Sequence, residues 1–168
     1  MAYRITFNQE SLKRQFAVYV VVGKGKADTK VYVGKVGDNR DGCNPIISRC
    51  GNHFSYNKLH SQMRNKLSDH EQREYTCIFD HFDDYHSDAS ARRAAREKID
   101  EMERWLREEI NTALTAAPKC ELLNPPSTGK YISKANRQKR ASFRTSAAQK
   151  KIMGVVADVK REIGLTAI

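Results

Sequence analysis

Two tyrosines, an arginine and a histidine stand out in this chain for the chemistry their types and spacing allow. Tyr19 closes Ala17-Val18-Tyr19, Tyr32 opens Tyr32-Val33-Gly34, and Arg49 and His53 follow four residues apart. Side by side on paired strands, two phenols can donate to and accept from the same water or phosphate. Tyrosine is also favoured in strands for packing alone, so the pair needs company to mean more than a core. Arg49 supplies some of it, because planar guanidinium donors stabilise the charge that grows on phosphoryl oxygens. His53 lies one helical turn further on, on the same face, where it can act as a base or simply support the arginine.

The elements that must position these groups are readable nearby. Residues 16–22 and 30–36 are β-branched and aromatic runs separated by Gly23-Lys24-Gly25-Lys26-Ala27-Asp28, which predicts a hairpin. The first run is almost continuously apolar and reads as a strand buried on both faces. Residues 37–42 read as a loop, and Pro45 suits the first turn of a helix that carries Ile46, Ile47, Arg49, Cys50 and His53. A second helix is expected from about Tyr56 to Leu67, with Leu59, Met63 and Leu67 four apart, and a third strand over residues 74–82. A long helix follows from about Ala89 to Leu114, striped by Ile99, Met102, Leu106, Ile110 and Leu114. The piece Leu122-Leu123-Asn124-Pro125-Pro126 reads as an apolar strand or extended piece stopped by prolines. The tail reads as a basic loop and then a helix from about Thr145 to Ile163, with Val155, Val156 and Val159 as its apolar stripe. The expectation is an α+β fold with a small sheet.

Glu103 falls within the apolar stripe of the long helix, where a carboxylate is unfavourable unless paired or bound to a cation. Mg²⁺ commonly takes one protein carboxylate, with waters and phosphate completing its shell, so Glu103 is the metal ligand expected here, with Mn²⁺ as a substitute ion. Glu108 and Glu109 are its rivals. Lys35 can lower the pKa of a phenol or water, or hold a phosphate. Two further clusters could hold a metal: Cys43, Cys50 and His53 as three zinc ligands, and the acidic, histidine-rich turn Asp80 to Asp88 as a divalent-cation site.

The chain is 168 residues long with a formal net charge of +10. That length suits one main domain with a substantial core. Residues 127–168 hold ten Lys or Arg against two acids, so the charge is concentrated in the tail. Its Lys130, Lys134, Arg137, Lys139, Arg140 and Arg144, with Asn136 and Gln138 between them, suit phosphate neutralisation and contact with base edges. A polyanionic partner is what this implies, and a basic arm with no sequence preference is the other reading of the tail. The four cysteines have no disulfide-framework spacing, the first residues lack an apolar leader run, and no stretch approaches the roughly 20 apolar residues of a membrane span. A cytoplasmic protein with reduced thiols is expected, with no membrane partner.

In order and type, Ala17-Val18-Tyr19, Tyr32-Val33-Gly34, Arg49, Glu103 and Asn124 resemble the GIY-YIG nucleases. Those have Gly-Ile-Tyr and Tyr-Ile-Gly strands, a helical arginine, a later helical glutamate and an asparagine near the domain's end. The Arg49-x-x-x-His53 pair resembles that of restriction enzymes in the family. The first motif departs at its glycine, and the second only by Val33 for isoleucine. The resemblance spans about residues 16–126 and implies a three-stranded, mainly antiparallel sheet flanked by helices. It divides the chain into a catalytic domain, 1–126, and a basic helical C-terminal extension, 127–168, packed on it or tethered to it. It also implies one-metal hydrolysis of DNA phosphodiesters, with Asn124 fixing the site or the substrate. The settings the resemblance implies are a restriction enzyme, for which a homodimer suits a palindromic site, or a phage or mobile-element nuclease. The alternative is a non-catalytic nucleic-acid-binding protein in which the tyrosines and His53 only pack and the tail does the binding.

Overall fold

A computed structural model describes residues 2–37, 44–57, 59–126 and 133–165, with the side chain of Lys134 excepted. The loop expected over residues 37–42, apart from Gly37, lies outside the described residues. So do the zinc candidate Cys43 and the DNA-binding candidate Lys130.

The sheet forms around its most apolar segment. Strand β1 (Gln15–Lys24) is buried along nearly its whole length, because it is central and both of its faces are covered. It pairs antiparallel with β2 (Thr29–Val36) and with β3 (Glu74–Asp84). The hairpin turn between β1 and β2 closes with Gly25 N–H donating to the Asp28 carbonyl, 2.8 Å. Buried Arg73 braces that turn by bonding both the Asp28 and the Asp69 carboxylates. A fourth strand, β4 (Cys120–Leu122), adds to the free edge of β2 in parallel, giving the order β3-β1-β2-β4. The α+β class therefore holds, while the sheet has four strands and mixed direction where three antiparallel ones were expected. Parallel pairing needs a long crossover, and this one runs through most of the chain between Thr29 and Cys120.

Side chains of β1 alternate between two apolar clusters. On one face Phe16, Val18, Val20 and Val22 meet the long helix α3 (Ala89–Leu114) and the tail helix α5 (Ser146–Glu162). Caps set the starts of both helices: the Asp88 side chain accepts from Ala91 N–H, and that of Thr145 from Ala148 N–H. Ile152, Val155, Val156 and Val159 of α5 are buried in the same core as Met102 and Leu106 of α3. The C-terminal extension is thus packed onto the sheet. On the other face Ala17, Tyr19 and Val21 meet α1 (Ile46–Asn52) and α2 (Gln62–Lys66).

Helix α2 is much shorter than the sequence suggests. Met63 and Leu67 are buried, but Tyr56 and Leu59 are exposed, so only half of the expected stripe has a core to face. A helix not foreseen, α4 (Lys134–Ala141), occupies part of the expected basic loop and touches α3. The Ser133 side chain caps it by accepting from Asn136 N–H. Among the described residues no helix is long and apolar enough to cross a membrane.

Candidate active site and basic cleft

Tyr19, Tyr32, Arg49 and His53 meet on the α1 face of the sheet. Tyr19 pairs with Gly34 across the β1–β2 ladder, and its ring lies over that glycine. A methyl group at position 34 would collide with the Tyr19 ring carbon Cζ and its hydroxyl. The glycine of Tyr32-Val33-Gly34 is therefore the space that Tyr19 needs. The Tyr19 hydroxyl lies 2.7 Å from His53 Nε2 and also bonds the Arg49 guanidinium. The Tyr32 ring stands edge-on to the same imidazole, with centroids 4.8 Å apart.

Burial decides how these groups ionise. Tyr19 is fully buried, which pushes its phenol far above the ordinary value, only partly offset by the charge of Arg49. His53, at the C-cap of α1, is also fully buried, and its pKa falls to about 4 through desolvation first and the Arg49 charge second. It is neutral at pH 7, and its Nδ1 is buried with no hydrogen-bond partner among the described residues. Tyr32 is half-buried; burial raises its phenol, the charge of Glu103 raises it further, and Arg49 and Arg107 pull it down.

The charge of Glu103, on α3, reaches the Tyr32 phenol. Strand β4 pairs only with Thr29 to Val31, so the ladder there stops short of Tyr32. Asn124 continues it with a side chain: its Nδ2 donates to the Val33 carbonyl at 2.7 Å, and its Oδ1 accepts from Val33 N–H at 3.1 Å. Asn124 thus holds the backbone beside Tyr32. Glu103 Oε1 accepts from Arg107 at 2.7 Å, one helical turn on. Its rivals are engaged elsewhere: Glu108 pairs with Arg144, and Glu109 accepts from the Trp105 indole N–H. Lys35 belongs to the opposite face from the phenols, where its ammonium pairs with Asp100 of α3.

A mixed-charge cleft of about 250 Å³, lined by Glu103, Arg104, Arg107 and Arg140 among others, runs along α3. It adjoins a second of about 450 Å³ that shares Arg104, Arg140 and Glu108 and adds Arg137 and Arg144. Four of the tail cations were expected to act together with Lys130 and Lys134. Three of them, Arg137, Arg140 and Arg144, converge here, while Lys139 turns to Glu97 at 2.5 Å. Arg144 fastens the cleft, donating through Nε to the buried Glu101 at 2.8 Å and lying over the Trp105 ring.

Three features escaped the sequence reading. Arg107 could have been found by its i+4 spacing from Glu103. Arg104 carries no signal beyond its charge, and the approach of Cys50 to Cys77 joins residues on different elements. Among the described residues no three His, Cys, Asp or Glu side chains converge on a metal position. Cys50 lies against Cys77, and His53 Nε2 against Tyr19, away from the arrangement a zinc site would require.

Fold and site together describe an α+β domain with an aromatic–imidazole–guanidinium cluster on one face of its sheet and an arginine-rich, mixed-charge cleft along α3. No protein-family model, curated protein or solved structure matches the chain.

Proposed function

We propose that the protein is a metal-dependent DNA endonuclease of the GIY-YIG kind, cutting at specific sites as a restriction, phage or mobile-element enzyme does. The observation that carries this reading is the meeting of Tyr19, Tyr32, Arg49 and His53 on the α1 face of the sheet, with the charge of Glu103 reaching the Tyr32 phenol. The continuity of the Glu103 cleft with Arg104, Arg137 and Arg140 supports double-stranded DNA as the substrate.

In this scheme Glu103 would hold Mg²⁺ or Mn²⁺ through a carboxylate oxygen, with water and phosphate completing the shell, and the ion would compete with the Arg107 guanidinium that engages Oε1. Bound there, the ion would supply Lewis-acid stabilisation of phosphoryl charge. Arg49 holds a phosphate oxygen and stabilises the charge that builds on it. Tyr32, the more accessible phenol, orients the attacking water. Water oxygen then bonds to phosphorus, and the bond from phosphorus to the departing sugar oxygen breaks.

The Tyr19–His53 pair offers the water's proton a destination. With neutral His53 accepting at Nε2, Tyr19 can pass on its own proton as its oxygen takes another. A phosphate at Arg49 offsets the positive charge that helps to hold His53 down, so the imidazole becomes more basic when substrate arrives. Lys35 and Asn124 act as positioning residues in this scheme, through Asp100 and the Val33 backbone.

Plasmid cleavage in Mg²⁺ and in EDTA, with wild type, Arg49→Ala and Glu103→Gln, tests the proposal. Metal-dependent nicking that falls at least 100-fold in both variants is the expected result, in line with loss of a group that stabilises transition-state charge. Duplex binding without metal-dependent cutting would favour a non-catalytic nucleic-acid-binding protein. That second reading draws on the complete burial of Tyr19 and the pairing of Glu103 with Arg107.

A further inference from the structure

Cys50 of α1 and Cys77 of β3 approach with Sγ–Sγ 2.6 Å, although both are free thiols 27 residues apart. Each is half-buried and lines a largely apolar groove of about 690 Å³, along with Ile46, Phe54 and Phe79. A small oxidant can therefore reach them from the groove. The third described cysteine, Cys120, begins β4 on the other side of the sheet's hairpin.

We propose that Cys50 and Cys77 form an oxidative modification site, in which a hydroperoxide converts the two thiols into a disulfide that staples α1 to β3. The Cys50 thiolate attacks the peroxide oxygen and the O–O bond breaks, giving a sulfenic acid and, with one proton, water. The Cys77 thiol then attacks the Cys50 sulfur, the S–O bond breaks, and the departing hydroxide leaves with the thiol proton as a second water. Two thiols and one hydrogen peroxide become one disulfide and two waters. Cys50 suits the first step because its thiol is held below the ordinary range, first by the hydrogen bond from Cys77 and then, against burial, by the neighbouring Arg49 charge.

Reaching a bond of about 2.05 Å from 2.6 Å brings the two sulfurs only about half an ångström closer, and the disulfide would tie α1, with its Arg49 and His53, to β3. Oxidation thus locks the helix that carries them. This inference stands on thiol geometry and is independent of any nuclease activity.

The test treats the folded full chain with one equivalent of hydrogen peroxide, then N-ethylmaleimide, and maps the peptides by mass spectrometry without reduction. The expected product is a cross-linked pair of peptides containing Cys50 and Cys77, lighter by about 2 Da for the two hydrogens lost, with Cys120 alkylated. Dithiothreitol should reverse it. The oxidised protein should melt several degrees higher than the reduced form, and Cys77→Ser should show neither the cross-link nor that rise. A Cys43–Cys50 cross-link would overturn the proposal. So would sulfinic acid on Cys50 with Cys77 still open to alkylation, or alkylation of both thiols to the same extent as Cys120.

Discussion

The two faces of the sheet are built from the same strand but do opposite things. The face under α3 and α5 is aliphatic and closed, with Val18, Val20, Met102, Leu106, Ile110, Ile152 and Val159 all fully buried. The face under α1 and α2 is smaller and holds Tyr19, His53, Cys50, Cys77 and Tyr75 among its apolar residues. Most polar groups on this face find a partner, as Tyr19 and His53 Nε2 do in each other, while His53 Nδ1 has none among the described residues. The contrast teaches that one face is a closed aliphatic core, while the other buries phenol, imidazole and thiol groups on the scaffold the first secures.

Removing bulk from the closed face should therefore have the largest effect on stability. Leu106→Ala is expected to destabilise the fold by about 2–5 kcal/mol in urea unfolding, with any cutting per folded molecule unchanged. Equal loss of stability from an α1-face residue such as Ile46→Ala would weaken the contrast.

The second effect is confined to the chemical face and depends on pH. His53 titrates at about 4 in the fold against 6.5 when unperturbed, so between these values the unfolded chain binds more protons. Stability is then full above about pH 6.5 and is lost as pH falls toward 4, by about 3 kcal/mol in total. Unfolding curves at pH 7 and pH 4.5 should diverge less in His53→Gln than in wild type. An unchanged pH dependence in that variant would show that His53 is not held neutral by burial.

Gly34→Ala should come third, at about 1–3 kcal/mol, because the added methyl has to displace the Tyr19 ring. Under the nuclease proposal its cutting should fall more than its stability does, since the Tyr19–His53 contact is what moves. Retention of full cutting would detach that contact from the reaction. The smallest stability change is expected at the cleft: Arg137→Ala with Arg140→Ala should stay within about 0.5 kcal/mol. Duplex binding measured in EDTA should nonetheless weaken, and its log–log salt slope should drop by about 2, one unit for each lost phosphate contact. An unaltered slope would place the DNA path elsewhere.

Much of the frame was legible because periodicity is a local signal. The continuous apolar run of β1, the alternation of β2 and the three-and-four spacing of α3 each follow from burial on two faces, one face or one stripe. Other elements were hidden for equally physical reasons. Helix α4 is almost entirely polar and has no stripe to read, and β4 is three residues whose partners lie some ninety positions earlier. Leu59 satisfied the helical period, yet no surface was there to receive it, and it is 78% exposed.

By itself the sequence determined the residue types that can do chemistry, the order in which they occur, the central strand, the long helix and the concentration of charge in the tail. All of these depend on composition and on neighbours within a few turns. Only the tertiary structure decided which phenol lies buried against His53, that Gly34 makes room for it, and that Asn124 finishes the β2 ladder. It also decided that Lys35 finds Asp100 of α3 and that Cys50 meets Cys77. Those outcomes depend on side chains from segments far apart in the chain, and close packing selects their partners only once every segment is in place.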